Sequence, residues 1–296
     1  MTIKEALNVQ NRTVSSRDAE VLLAHVLATT REFLHTYPEK ELTDKQSATF
    51  ENALTRREKN EPVAYITGVK EFYSRPFKCD NRALIPRPET EALIERSLIL
   101  LEKEFKDHLK ATNKPCPLHV LEIGTGCGNI AVTLALELAK KGLPATILAT
   151  DISKEALDLA QENATALTAY DNKNIQLTFL EADLFDNTKI GEKKPYDLIA
   201  ANLPYVSTTW QLNPAAQPDV VFYEPDIALF GGEDGLVHYR KFFKEAPAYL
   251  AKKGHIVCEY GEDETIDFIP LAKRAFPGRD GIVYQDYAGL DRIFEL

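Results

Sequence analysis

The chain of 296 residues predicts an α/β fold: a seven-stranded, mostly parallel, doubly wound sheet behind a small N-terminal all-helical domain and a hairpin linker. Three observations point there. From Leu118 onward, apolar runs of strand length alternate with amphipathic segments of helix length, and repeated βαβ units give parallel sheets. Before residue 63 there is helical spacing and no strand-like alternation. Between the two lies a short stretch dense in turn formers.

The elements follow in order. Ala19, Leu22, Leu23, Val26 and Leu27 recur at helical spacing over Ser16 to Thr29, with Ser15 or Ser16 as N-cap. Thr43-x-x-Gln46 fits a capping box and opens a helix running to about Lys59, which Glu61-Pro62 ends. Residues 1–70 thus read as four or five helices. Phe72, Phe77 and Leu84 stand among turn residues over 71–85, the expected hairpin linker. Pro86-Arg87-Pro88 is a stiff turn, and Glu89-Thr90-Glu91 starts a helix to about His108. Strands are expected at 118–123, 145–151, 175–183, 196–202, 254–260, 281–287 and 292–296, with helices at 129–141, 153–167, 235–250 and 265–275. The α/β domain is placed at 86–296.

Composition narrows the function. Lys and Arg total 35 against 45 Asp and Glu, a net charge of −10, which disfavours broad nucleic-acid binding. No apolar run approaches the ~20 residues of a membrane span. The N-terminus, MTIKEALNVQNR, lacks the apolar stretch of a secretory signal. Cys79, Cys116, Cys127 and Cys258 form no Cys-x-x-Cys pair, and the six histidines include no HExxH. A cytoplasmic protein with reduced thiols, no structural metal and no membrane partner is expected.

The first chemical signal is Glu122-Ile-Gly124-Thr125-Gly126-Cys127-Gly128, between a strand and a helix. Glycines there let the backbone turn tightly and approach a ligand. The dinucleotide fingerprint needs a third small residue where this chain has Asn129. GxGxG with an acid two residues before it resembles the first motif of S-adenosylmethionine (AdoMet) methyltransferases. A carboxylate suits an ammonium and a sulfonium and repels a pyrophosphate. Asp151, ending the second strand, is placed to accept both ribose hydroxyls, although an acid at a helix start also suits the dipole. Asp183 stands at the corresponding place for the adenine amino group. Leu184 or Phe185 is expected on the adenine face, with ordinary core packing as the competing account.

The second signal is Asn202-Leu203-Pro204-Tyr205, which follows the fourth strand. Ligands of open parallel sheets bind beyond the carboxyl ends of the strands, which puts both loops in one crevice. Such tetrapeptides resemble those of enzymes that methylate planar, conjugated NH₂ groups. The lone pair of that nitrogen is delocalised. The Asn202 side-chain oxygen can accept one N–H, and a carbonyl near Leu203 or Pro204 the other. Two acceptors aim the lone pair at the methyl group by orientation and preorganisation. Tyr205 is expected to stack on the flat substrate group. No histidine occurs in either loop, and the mechanism needs no strong base.

Together with its flanks, the chain resembles the HemK-type protein-(glutamine-N5) methyltransferases along nearly its whole length. The resemblance rests on GluProValAlaTyrIleThrGly (61–68), GluPhe (71–72), LeuIleProArgProGluThrGlu (84–91), the loop 122–128, Asp151, the Asn202 tetrapeptide, GluProAspIleAlaLeu (224–229) and GlyGlyGluAspGlyLeu (231–236). The 84–91 and 224–236 strings are the most specific. The resemblance implies a Rossmann-like class I AdoMet-dependent catalytic domain and a helical domain that grips the substrate protein. The implied substrate is the glutamine of the Gly-Gly-Gln motif in a peptide chain release factor, with no nucleic-acid substrate. It also implies cofactor contacts from 122–128, Asp151, Asp183, Leu184 and Asn202, and substrate contacts from Arg87 and Asn202 to Tyr205. A ribosomal-protein glutamine methyltransferase and an adenine-N6 methyltransferase are the alternatives. Leu203 replaces the family's usual first proline, Leu184 replaces a frequent aromatic, and Glu264 stands where the family's Glu-x-Gly-x-x-Gln ends in glutamine.

Overall fold

A computed structural model describes residues 1–10, 12–192, 195–212, 218–286 and 288–296. Five short helices open it: Ile3–Ala6, Ser16–Val26, Arg31–Thr36, Asp44–Glu58 and Val63–Thr67. Ser15 and Thr43 cap as their positions require, Thr43 through a complete capping box with Gln46. Ile3, Leu22, Leu23, Leu34, Phe50 and Leu54 anchor a hydrophobic cluster drawn from the first 66 residues.

The hairpin starts and ends earlier than its composition suggests. Strands β1 (Val69–Phe72) and β2 (Arg75–Lys78) pair antiparallel through a turn in which Tyr73 and Ser74 take φ of 51° and 58°, as a two-residue hairpin loop of matching twist requires. Residues 79–88 contain no helix or strand. The hairpin is fixed to the α/β body. Phe72 and Phe77 are buried in its core, and Asn163 bridges the backbones of Lys78 and Cys127, accepting from Lys78 N–H at 2.7 Å and donating to both carbonyls.

The α/β body holds β3 (Leu118–Ile123), β4 (Ala145–Asp151), β5 (Ile175–Glu181), β6 (Tyr196–Asn202), β7 (Leu250–Glu259), β8 (Ile282–Gln285) and β9 (Asp291–Glu295). Their order is β5-β4-β3-β6-β7-β9-β8, parallel until β9, which pairs antiparallel with both β7 and β8. The predicted seven-stranded, mostly parallel sheet is therefore present. Helices Thr90–Thr112, Asn129–Lys140 and Lys154–Ala166 flank it, and Val237–Glu245 and Thr265–Ala275 follow later in the chain. The helix expected at 235–250 stops at Glu245, and β7 begins at Leu250, four residues early, because Leu250 already pairs with Tyr196. Tyr287, in the strand expected at 281–287, lies outside the described residues. No described helix is long and apolar enough to cross a membrane.

β3 stands where the strand order reverses: β4 lies on one side and β6 on the other. Open sheets form a crevice beyond the strand ends at such a point. Ile123 of β3 pairs with Ala201 of β6, so the loops that follow them begin side by side.

Candidate active site

The loop after β3 is shaped by its glycines. Gly124, Gly126 and Gly128 take φ of 76°, 55° and 83°, a region that costs other residues energy. Gly124 and Thr125 donate their N–H to Thr150 O at 2.9 and 2.8 Å, which ties the loop to β4. A Cβ on Gly128 would lie 3.0 Å from that of Ala160, so this glycine lets the 154–166 helix approach. Asp151 Oδ2 accepts from Gly126 N–H at 2.8 Å and Oδ1 from Ser153 N–H at 2.9 Å. Burial pushes its carboxyl up, against those N–H donors.

Glu122 is fully buried. Its Oε2 accepts from the Thr125 hydroxyl at 2.8 Å, while Oε1 has no partner. Desolvation pushes this carboxyl up to about 8, and the Asp151 charge adds to the effect. Glu122 thus sits behind the loop rather than facing a ligand, because Thr125 closes over it.

One cavity collects most of the sequence-predicted residues. Gly124, Thr125, Gly126, Cys127, Asp151, Asp183, Leu184, Asn202, Leu203, Pro204 and Arg87 all line it. Glu122, Gly128 and Tyr205 stand behind this lining. Of the two hydrophobes weighed for the adenine face, Leu184 lines the cavity and Phe185 does not. Phe185 stacks on Tyr249 at 4.7 Å in the hydrophobic cluster around Tyr239 and Phe242, since the backbone turns at Leu184, where φ is 52°.

Tyr205, expected to stack on the flat substrate group, is absent from this lining. Its hydroxyl donates to Glu259 Oε1 at 3.1 Å, and that bond draws the ring away from the cavity lining. Glu259 lies opposite Asn202 in the pairing of β6 with β7 and is 1% exposed. Its other oxygen accepts from the Thr90 hydroxyl at 2.6 Å, and Thr90 accepts from Asn202 Nδ2 at 3.2 Å. Burial pushes the Glu259 carboxyl up, while both hydroxyls and Arg292 oppose that shift. Leu203 N–H donates to the Tyr239 hydroxyl at 3.2 Å, and Tyr239 in turn donates to the Glu259 carbonyl. A proline at 203 has no such N–H. The Leu203 side chain fills space beside Gly124, where a Cβ would lie 3.1 Å from its Cδ2.

The two most specific strings meet at the cavity wall. Glu224, 5% exposed, accepts from Arg87 at 2.6 Å and from Ile85 N–H at 3.0 Å. Val206 N–H donates to Leu229 O, and Gly231 N–H to Val206 O. Gly231 and Gly235 lie so close to the Pro204 and Tyr205 carbonyls that a Cβ would fall 2.6 and 2.3 Å from those oxygens. This packing explains why small residues stand at both positions. Thr90, Glu224 and Glu259 escaped sequence reasoning as site residues, although Thr90 and Glu224 lie inside the recognised strings and Glu259 opens the run that Glu264 ends. His238 and Lys241, from the 237–245 helix, also line the cavity; nothing near them in sequence resembles either loop.

Comparison with known proteins agrees with this geometry. Residues 2–68 match the PrmC N-terminal domain and residues 117–277 a methyltransferase domain. A release factor glutamine methyltransferase of Bacillus cereus is 37% identical, covering 93% of this chain and 89% of its own length. Another, of Vibrio cholerae, is 36% identical over 93% of this chain and 87% of its own. Among solved structures, the hMettl16 catalytic domain in complex with MAT2A 3′UTR hairpin 6 superposes with a TM-score of 0.52 at 14% identity, over 86% of this chain and 81% of that one. That likeness shows a shared fold alone. At more than a third identity over nine-tenths of its length, the chain belongs to the release factor glutamine methyltransferase family.

Proposed function

We propose that this protein transfers a methyl group from AdoMet to the side-chain amide nitrogen of a glutamine in a peptide chain release factor, the glutamine of the Gly-Gly-Gln motif. The observation that carries this reading is the adjacency of the glycine loop and the Asn202 tetrapeptide in one cavity, at the ends of the neighbouring strands β3 and β6.

The residues present fit AdoMet. Glu122 Oε1 lacks a donor beneath the loop, and Asp151 supplies a second carboxyl in the wall. The Asp151 carboxyl favours a ligand carrying ammonium and sulfonium charge. When bound, AdoMet supplies an electrophilic methyl group. Asp151 accepts from the ribose hydroxyls, and Asp183 and Leu184 take the adenine. Asn202 Oδ1 accepts one N–H of the glutamine amide, and a carbonyl at 203–204 accepts the other. This holds a weakly nucleophilic nitrogen in a near-attack geometry. An amide nitrogen becomes strongly acidic once methyl transfer places positive charge on it, so loss of its proton needs no strong base. Tyr205 supports Asn202 from behind through Glu259.

The helical unit, residues 1–70, docks the protein substrate, and 86–296 carries catalysis. In support, Arg57 and Lys59 reach the 218–223 helix, through Asp219 at 3.5 Å and the Tyr223 hydroxyl at 2.8 Å. That helix leads into cavity residues Ile227 and Ala228. Arg57 also pairs with Asp18, and Arg56 with Glu61, so this basic cluster is largely neutralised internally. A chain begun at Gly68, with the hairpin intact, should bind AdoMet yet methylate release factor poorly.

The central test is methyl transfer from labelled AdoMet to purified release factor, with ribosomal protein and ribosomal RNA in parallel. Label on the release-factor glutamine amide is expected. Label confined to RNA would overturn the reading in favour of an adenine methyltransferase, and label on ribosomal protein alone would redirect it within the glutamine class.

A further inference from the structure

We propose that Thr90 and Glu259 are positioning residues that fix the rotational state of the Asn202 side-chain amide, so that it presents its oxygen, and not its NH₂, to the cavity. The inference rests on the acceptor role given to Asn202 above and supplies its physical cause.

An asparagine amide is nearly symmetric in shape. Rotating it by half a turn exchanges an acceptor for two donors at almost no steric cost, and only its hydrogen-bond partners decide which end points where. For methyl transfer the difference is decisive. An oxygen attracts the substrate N–H, whereas an NH₂ group repels it and would hold the substrate carbonyl instead.

The chain of bonds behind Asn202 has a fixed direction. It starts at Glu259, each of whose carboxyl oxygens accepts from a hydroxyl, Thr90 on one side and Tyr205 on the other. Its Oε2 takes the single proton of the Thr90 hydroxyl at 2.6 Å. Thr90 Oγ1 then has only lone pairs left for Asn202, 3.2 Å away, so the atom facing it must be Nδ2. Asn202 lines the cavity, and the oxygen is the end that remains to be offered there. The Tyr205 hydroxyl donates to the other Glu259 oxygen at 3.1 Å, which leaves the carboxylate with a donor on each side. Thr90 and Glu259 are each 1% exposed, so bulk water does not compete, and an unmatched polar group would be costly.

The register of the fold brings these groups together. Glu259 pairs with Asn202 across β6 and β7, and Thr90 is the first residue of the 90–112 helix. Thr90 lines the cavity beside Asn202, while Glu259 is absent from its lining. They act through Asn202.

The test is single-turnover methylation of purified release factor by the full chain carrying Thr90→Val, Thr90→Ser, Asn202→Ala and the Asn202→Ala/Thr90→Val pair. Thr90→Val keeps the shape and removes the hydroxyl. It should slow transfer by roughly 10- to 100-fold, within the range for losing an oriented polar group, with AdoMet affinity by calorimetry unchanged within about twofold. Thr90→Ser should restore most of the rate. The pair should be no slower than Asn202→Ala alone, since the hydroxyl then has no amide to orient. Additive losses, or a wild-type rate for Thr90→Val, would overturn the proposal. A wild-type rate for Asn202→Ala would instead overturn the acceptor role beneath it, so the two failures are told apart. Should Thr90→Val not fold, Thr90→Ala leaves room for a water between Asn202 and Glu259; a loss of several-fold supports the proposal, and none overturns it.

Discussion

The two halves of the crevice are built from different materials. Beyond β3 and β4 the wall is mostly backbone: three glycines with positive φ, amide groups bonded to Thr150 and Asp151, and a helix packed against Gly128. Beyond β6 and β7 it depends on side-chain hydrogen bonds that run from Asn202 through Thr90 to Glu259, to which Tyr205 and Tyr239 also donate. On the proposed function, the first half holds a ligand that is the same in every turnover and can be rigid. The second must distinguish the two ends of a small amide, which needs directed donors and acceptors. Substitutions in the first half should therefore change stability and AdoMet binding, and those in the second the rate.

The largest expected effect tests the rigid half. Gly128→Ala forces a side chain into a left-handed backbone, at roughly 1–2 kcal/mol. It also crowds Ala160, where its Cβ would lie 3.0 Å away, at roughly 1–3 kcal/mol more. Denaturant unfolding should show the sum as a lowered midpoint. An unchanged midpoint would mean that the helix can retreat and that this half is not rigid.

Asn202→Ala tests the other half. Losing one oriented acceptor should lower single-turnover methyl transfer by about 10²-fold or more. AdoMet affinity should change much less, because the 124–127 loop and Asp151 make up most of the cofactor's wall. Asn202→Asp keeps an acceptor and should retain partial activity. If Asn202→Ala weakens AdoMet as much as it slows transfer, the division between the halves fails.

Asp151→Ala is the smaller, mirror-image change. It removes acceptors for the ribose and should weaken AdoMet by about 1–3 kcal/mol. At saturating AdoMet the transfer rate should stay close to wild type. Calorimetry and single-turnover rates on the same preparation check both statements, and unchanged affinity would remove Asp151 from the cofactor site.

The same contrast explains what was legible in the sequence. The glycine loop and its strand are contiguous, so spacing alone exposes them, and strands β3 to β6 lie close to where their apolar runs place them. The tetrapeptide was legible as a loop, but the direction of Tyr205 was not. That direction depends on Glu259, 54 residues away in sequence, which only the pairing of β6 with β7 brings close. Thr90 was hidden in the same way inside a recognised string. The short helices at 218–223 and 226–229 are too brief to show helical periodicity.

The smallest expected effect concerns two acids, one on each side, Glu122 fully buried and Glu264 half-buried. Burial pushes Glu264, near the tetrapeptide, up to about 7; Asp263 and Glu262 add to the shift while Arg292 opposes it. Its Oε2 has no hydrogen-bond partner, and the glycines at 235 and 261 give it room. A carboxyl whose folded pKa lies above its ordinary value stabilises the fold fully below that ordinary value and progressively less as pH rises through the folded one. For Glu264 that window runs from about 4.5 to about 7; for Glu122, on the cofactor side, it runs from about 4.5 to about 8. Glu264→Gln replaces the carboxyl with a neutral amide of nearly the same shape. Relative to wild type its melting temperature should rise from pH 5 to pH 7 and then level off. Glu122→Gln should follow the same course but level off about one pH unit later. Melting curves at half-unit steps from pH 5 to 9 check both, and a difference from wild type that does not vary with pH would show that neither carboxyl is held protonated by burial.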